Sequence, residues 1–189
     1  MLVNHLGTKT IETDRLILRK FVMEDAGAMF KNWVNDIEVL DYLTWEPHGR
    51  IEVTQELLTE WIEAYNHSNT YNWAIELKEI SEVIGSMTVI FASDKDFKCE
   101  IGYVIGKQFW SRGITTEALI AVDKFLIFEV GYNRIQMHHD TRNVASGRVM
   151  EKAGLTLEGT LRQRKIYRDG TLGDGHIWAI IKDDYKVDV

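Results

Sequence analysis

At 189 residues, with 45% hydrophobic and 27% charged side chains, the chain has the size and composition of one globular domain, residues 1–189, able to bury roughly 70% of its unfolded surface. Its formal net charge of −7 speaks against a nucleic acid or an anionic membrane surface as partner, and mildly favours a cationic one such as a protonated amine. One cysteine, Cys99, leaves no internal disulfide framework, and neither a signal-like leader nor an apolar run long enough to span a membrane is read, which points to a cytoplasmic protein.

Residues 11–20 alternate loosely and carry enough β-branched side chains for a first strand. Glu24 and Asp25 then open a helix with Ala26, Met29, Phe30 and Trp33 on one face. Residues 36–47 are irregular yet hold Val39, Leu40, Tyr42, Leu43 and Trp45, which need a surface to cover. Leu57, Leu58, Trp61, Ile62 and Tyr65 predict a second helix over 53–65. Residues 72–77 and 83–91, joined by a polar turn at 78–81, read as an antiparallel hairpin, and a central strand follows from Glu100 to Gly106. Ala118, Leu119, Val122, Phe125 and Leu126 place a helix after Gly113, capped by Gly131, with a short extended segment at 134–138. Asn143 can N-cap a helix bearing Val149, Met150 and Ala153 that Gly154 stops. Two strands, 156–162 and 176–181, close the chain. This order is that of an α+β fold with a central, mostly antiparallel sheet flanked by helices.

The segment from Glu100 to Ala118 delivers a strand, through a turn at Gly113, to a helix N-terminus. The first helical N–H groups lack intrahelical partners and the macrodipole is positive there, so such a junction suits an anion. Ser111, Arg112, Gly113, Thr115 and Thr116 would offer amides, hydroxyls and a guanidinium to a pyrophosphate. The alternative is an ordinary strand-to-helix turn with Thr115 or Thr116 as N-cap. Two nucleotide motifs are excluded: Gly102-xxx-Gly106-Lys107-Gln108 lacks a residue and the metal-binding hydroxyl of a P-loop, and no GxGxxG follows a strand.

Gly102-Tyr103, Trp110-Ser-Arg-Gly113 and Thr116-Glu117-Ala118 resemble the pyrophosphate loop of the GNAT superfamily of N-acetyltransferases. Within it they are similar to the branch containing the RimJ and RimL ribosomal-protein N-terminal acetyltransferases. Thr13-Asp-Arg-Leu-Ile-Leu-Arg19, Asn143-xx-Ser146 and Met150-Glu-Lys-Ala-Gly-Leu155 extend that resemblance to nearly the whole chain. Elsewhere in the superfamily Arg or Gln tends to stand at the place of Trp110, and Gly or Ala at that of Thr115; both departures are familiar in this branch.

The resemblance implies the GNAT fold, its twisted sheet splayed at the central strand, and acetyl-CoA as cofactor. Backbone at Tyr103, Val104 and Ile105 would pair with pantetheine, and Trp110, Ser111, Arg112, Gly113, Ile114, Thr115 and Thr116 would hold the pyrophosphate. Asn143 and Ser146 would complete the cofactor site, and Tyr42 and Trp45 would wall the acceptor groove. The implied function is acetyl transfer to a primary amine, of a peptide N-terminus or a small molecule, by direct attack in a ternary complex. The alternative is a non-catalytic acyl-CoA-binding regulatory module, and the branch admits a homodimer.

For the base, Glu100 lies where the acetyl group is expected, although it also reads as an exposed strand residue. His138, His139 and Asp140 come next; the two histidines, adjacent on a strand, point to opposite faces and make no metal signature. Ser146 is the implied donor to the leaving thiolate, or simply a first-turn serine. One departure from the branch stands out. The late-chain glutamate that some members are thought to use as base falls, counted from Leu157-Glu-Gly159, on Lys165, within a basic cluster of Arg162, Arg164, Lys165 and Arg168 that would meet an acidic acceptor or simply solvent.

Overall fold

The computed structural model of the protein describes residues 2–43, 45–167 and 170–185. Its strands are β1 (Ile11–Glu12), β2 (Leu16–Arg19), β3 (Asn72–Leu77), β4 (Glu82–Ser93), β5 (Lys98–Ile105), β6 (Arg134–Asp140), β7 (Thr156–Ile166) and β8 (Leu172–Ile181). They form one sheet in the order β1-β2-β3-β4-β5-β6-β8-β7. Every neighbouring pair is antiparallel except β5 and β6. The helices are α1 (Ala26–Met29), which continues as a π turn, α2 (Ile51–Ala64), α3 (Ile114–Lys124), which also runs on into a π turn, and α4 (Val144–Lys152).

Strand alternation sorts the sheet into two faces, because successive side chains point to opposite sides. Cys99, Ile101 and Ile105 of β5 pack with Ala118, Leu119 and Val122 of α3 and Met150 of α4. Val104 and, from β3 and β4, Ala74 and Val83 pack on the other side with Phe21, Met29, Trp33 and Leu58. Helices thus cover both faces, and each fully buried Leu, Ile or Phe contributes roughly 1.5–3 kcal/mol. Among the described residues, no helix is long and apolar enough to cross a membrane.

The structure departs from the sequence reading at the first strand and at the last two. The expected continuous first strand breaks at Thr13, whose hydroxyl accepts from the Leu16 amide at 3.0 Å while its own amide bonds the Leu16 carbonyl at 3.0 Å. A threonine that offers the backbone a local acceptor favours a turn over a straight ladder. The last two strands run longer than expected, because pairing resumes after an irregularity between Leu161 and Lys165 and carries on to Ile166↔Leu172. Within that irregularity Gln163 takes φ 52°, and its amide donates to Asp174 Oδ1 at 2.7 Å. β7 is the sheet's outer edge, and a bulge with basic flanks blunts such an edge against pairing with other chains.

Asp123, on the core side of α3, is 0% exposed, and neither carboxylate oxygen has a hydrogen-bond partner among the described residues. Burial drives its pKa well above the usual carboxylate range, so the folded protein holds it neutral. A raised folded pKa means that the native state keeps a proton the unfolded chain releases above about pH 4, so this group lowers stability as pH rises. In urea unfolding, Asp123→Asn is expected to gain on the wild type by up to about 1.4 kcal/mol per pH unit above pH 4. A wild type that instead gains on the variant with rising pH would mean an ionised, partnered Asp123.

Candidate functional site

The parallel ladder between β5 and β6 lasts only from Lys98↔Arg134 through Cys99↔Ile135 to Glu100↔Gln136. Beyond it β5 stays with β4 as far as Gly85↔Ile105, while β6 stays with β8 as far as Asp140↔Gly175, so the two part in the middle of the sheet. Two glycines allow close backbone approach there, between β5 and β4 and between the end of β5 and the π turn after α1. A Cβ on Gly106 would sit 2.7 Å from the Asn32 carbonyl oxygen, and one on Gly85 would collide with the Val104 carbonyl. The Gly106 amide donates to the Ile84 carbonyl at 2.9 Å, and antiparallel alternation then turns the Val104 peptide groups toward β4 and those of Tyr103 and Ile105 toward the gap. The indole N–H of Trp110 fills the Ile105 carbonyl at 3.0 Å.

At the mouth of this gap stands the N-terminus of α3. Gly113, not Thr115 or Thr116, is its N-cap, at φ 72° and ψ 5°, so the N-cap position offers no side-chain cap. Ser111 is also left-handed, at φ 60°. Two left-handed residues bracketing Arg112 bend the backbone into a concavity, and the first-turn amides of Ile114, Thr115 and Thr116 have no helical acceptor. Arg112 reaches away to Glu79 at 3.2 Å. An uncapped helix start beside an open strand edge fits a diphosphate joined to an extended amide chain.

The far wall is the first turn of α4. Asn143 caps it by accepting from the Ser146 amide at 3.1 Å, and the Tyr103 hydroxyl reaches from β5 to the Ser146 carbonyl at 3.4 Å. Burial pushes the Tyr103 phenol up to about 12, with Ser146 opposing, so it stays protonated and donates. The sequence reading had used only the backbone of Tyr103.

Where β5 and β6 part, Glu100 accepts from Gln136 Nε2 at 3.2 Å, lies 2.9 Å from His138 Nδ1, and has Arg164 of β7 at 3.6 Å. Its side chain is 14% exposed, so it is not an exposed strand residue. Burial pushes its pKa up, but the contacts from His138, Gln136 and Arg164 outweigh that and hold it below the ordinary value. His139 faces the other way, buried beneath Gly147 of α4, where a Cβ would meet its Nε2 at 3.0 Å. Asp140 pairs with Arg142 at 3.1 Å and has Lys165 at 3.8 Å.

The two acceptor-wall candidates separate. Tyr42 lies at the rim, its ring 5.9 Å from the Arg142 guanidinium, and its carbonyl accepts from Lys165 at 2.8 Å. Trp45 packs against the α1/α2 core instead. Of the basic cluster, Arg164 and Lys165 face the site's carboxylates, Arg162 lies on the β7 irregularity, and Arg168 lies outside the described residues. Gln136 and Arg164 became visible as partners of Glu100 only through strand pairing across the sheet.

Comparison with known proteins identifies the family and the fold. Residues 15–156 match the family described as acetyltransferase (GNAT) domain. The chain is 34% identical to the uncharacterized N-acetyltransferase YoaA of Bacillus subtilis (strain 168) over 172 residues, covering 91% of this chain and 96% of that one. A GNAT-family acetyltransferase from Bacillus anthracis superposes with a TM-score of 0.81 at 24% identity, covering 93% of this chain and 99% of its own. The ribosomal-protein-S5-alanine acetyltransferase from Vibrio fischeri gives a TM-score of 0.81 at 18% identity, covering 95% of this chain and all of its own; at such identities the likeness is one of fold.

If His138 holds Glu100 ionised, His138→Phe, which keeps the ring's bulk and removes its nitrogen, is expected to raise the Glu100 pKa. Carboxyl-carbon NMR titration reads this directly, and an unchanged midpoint would leave Gln136 and Arg164 as the cause.

Proposed function

The chain belongs to the GNAT acetyltransferase family, and on that premise we propose that residues 1–189 form one N-acetyltransferase domain that moves an acetyl group from acetyl-CoA to a primary amine. The observation that carries the reading is the parting of β5 from β6 immediately after Glu100, beside the uncapped start of α3. A thioester supplies an activated acetyl group and a thiol of pKa about 8.5 as leaving group. What remains for the protein is to hold it, polarise its carbonyl, receive a proton and give one.

In this reading the first-turn amides of α3, with Ser111 and Thr116, bind the diphosphate, and the Tyr103 peptide groups pair with the pantetheine. A backbone donor aimed at the developing oxyanion contributes a few kcal/mol. The amine attacks directly, and its proton passes to the Glu100–His138 pair, where the carboxylate is kept ionised. Ser146, on the first turn of α4, supplies a hydroxyl to the departing thiolate.

The acceptor is an α-amine of a peptide or small molecule. At pH 7 an α-amine with pKa about 7.7–8.0 is roughly 10–15% neutral, against about 0.04% for a lysine near 10.4, a difference of about 3 kcal/mol. The RimJ/RimL-like motifs support an N-terminal amine, and the structure offers no late-strand carboxylate at Lys165, which donates to the Tyr42 carbonyl instead.

Isothermal titration should detect acetyl-CoA binding, and Gly113→Glu should abolish it, since the site requires φ 72° and a carboxylate there would repel diphosphate. Thiol release with a panel of peptide, amino-acid, polyamine and aminoglycoside amines should find an acceptor, with Glu100→Gln lowering turnover about a hundredfold and sparing binding. Binding without release for any amine would favour a non-catalytic acyl-CoA module.

A further inference from the structure

We propose that Arg15, in the turn between β1 and β2, is a positioning residue that fixes the direction of the Gly113 N–H in the phosphate cradle. The inference rests on the diphosphate reading of the α3 N-terminus. Arg15 Nη1 donates to the Arg112 carbonyl at 2.9 Å, and its Nε donates to Glu117 Oε2 at 2.6 Å. The same carboxylate, in the first turn of α3, accepts from the Arg15 amide at 3.0 Å and from the Thr13 hydroxyl at 2.6 Å. Two segments far apart in sequence are bolted together, and the bolt ends on a backbone carbonyl of the loop.

That carbonyl matters because a trans peptide points its C=O and the next N–H in opposite directions. Holding the Arg112 oxygen on the Arg15 side therefore turns the Gly113 N–H away from it, on the side where a diphosphate would lie. Nothing local enforces that choice. Gly113 has no Cβ and tolerates a flipped peptide, and Ser111 on the other flank is already left-handed. Flipped, the same peptide would present a carbonyl oxygen to an anion.

An arginine is required because one planar fork spans two acceptors, the Glu117 carboxylate and the Arg112 carbonyl. A lysine keeps the charge but gathers its donors on one nitrogen, without the planar fork that spans both. The turn's own seat does not depend on this bolt, since Leu16 and Leu18 of β2 are fully buried.

The test titrates CoA and pantetheine into wild type, Arg15→Lys, Arg15→Ala and Glu117→Gln, with urea unfolding of each. CoA affinity is expected to fall roughly tenfold or more in Arg15→Lys and Arg15→Ala alike, with a smaller fall in Glu117→Gln. Pantetheine affinity and the urea midpoint of Arg15→Lys should stay within error of wild type. Wild-type CoA affinity in Arg15→Lys would overturn the inference and leave Arg15 as a charge only. Equal losses for pantetheine and CoA would overturn it in favour of a general structural role. A wild type that does not bind CoA would remove the function proposed above and this inference together.

Discussion

Everything at the site depends on a parallel ladder that stops too soon. β5 and β6 share pairings only as far as Glu100↔Gln136, and each then follows its other neighbour. Opening a sheet in its middle leaves peptide groups without ladder partners, and buried polar groups must find others. Here the Trp110 indole takes the Ile105 carbonyl, while the Tyr103 phenol ties β5 to the first turn of α4. A bulge between Val89 and Phe91 of β4 bends the strand that β5 follows, and Ile90 packs over Gly102. The notch is thus a built feature, braced on both sides and floored by a carboxylate.

Much of this was legible in the sequence, because the signals were local. A strand, a glycine turn and an amphipathic helix announce themselves by spacing, and Asn143 and Gly154 mark the ends of α4 by their own chemistry. The hairpin at 72–91 was equally plain, since the turn residues and the alternating apolar positions sit side by side. One local choice escaped: Thr13 breaks the first strand because its hydroxyl accepts from the Leu16 amide, which the alternation around it does not reveal. The rest was long-range. That Glu100 meets Gln136, His138 and Arg164 depends on strand register and on the order of β6, β8 and β7, which no local window encodes. The motifs at residues 13–19 and 116–118 were visible separately, and their joining through Glu117 was not.

The late strands carry the sharpest departure from the RimJ/RimL pattern, and they bear on the acceptor. Arg164 stands 3.6 Å from Glu100 and Lys165 stands 3.8 Å from Asp140, so β7 brings cations to both carboxylates of the groove. A carboxylate already ringed by donors is a weaker proton acceptor than a bare one. Such a site is poorly equipped to strip a lysine ammonium, whose neutral form costs about 3 kcal/mol more at pH 7 than that of an α-amine. Electrostatics that look unfavourable for a strong base are therefore consistent with an acceptor that needs little help. The Arg142 guanidinium, paired with Asp140, lies 3.9 Å from the Tyr167 ring and faces Tyr42 at the rim. Under the proposed function, an α-amine whose neighbouring groups are neutral or acidic would meet the least resistance on entering past the cations of β7.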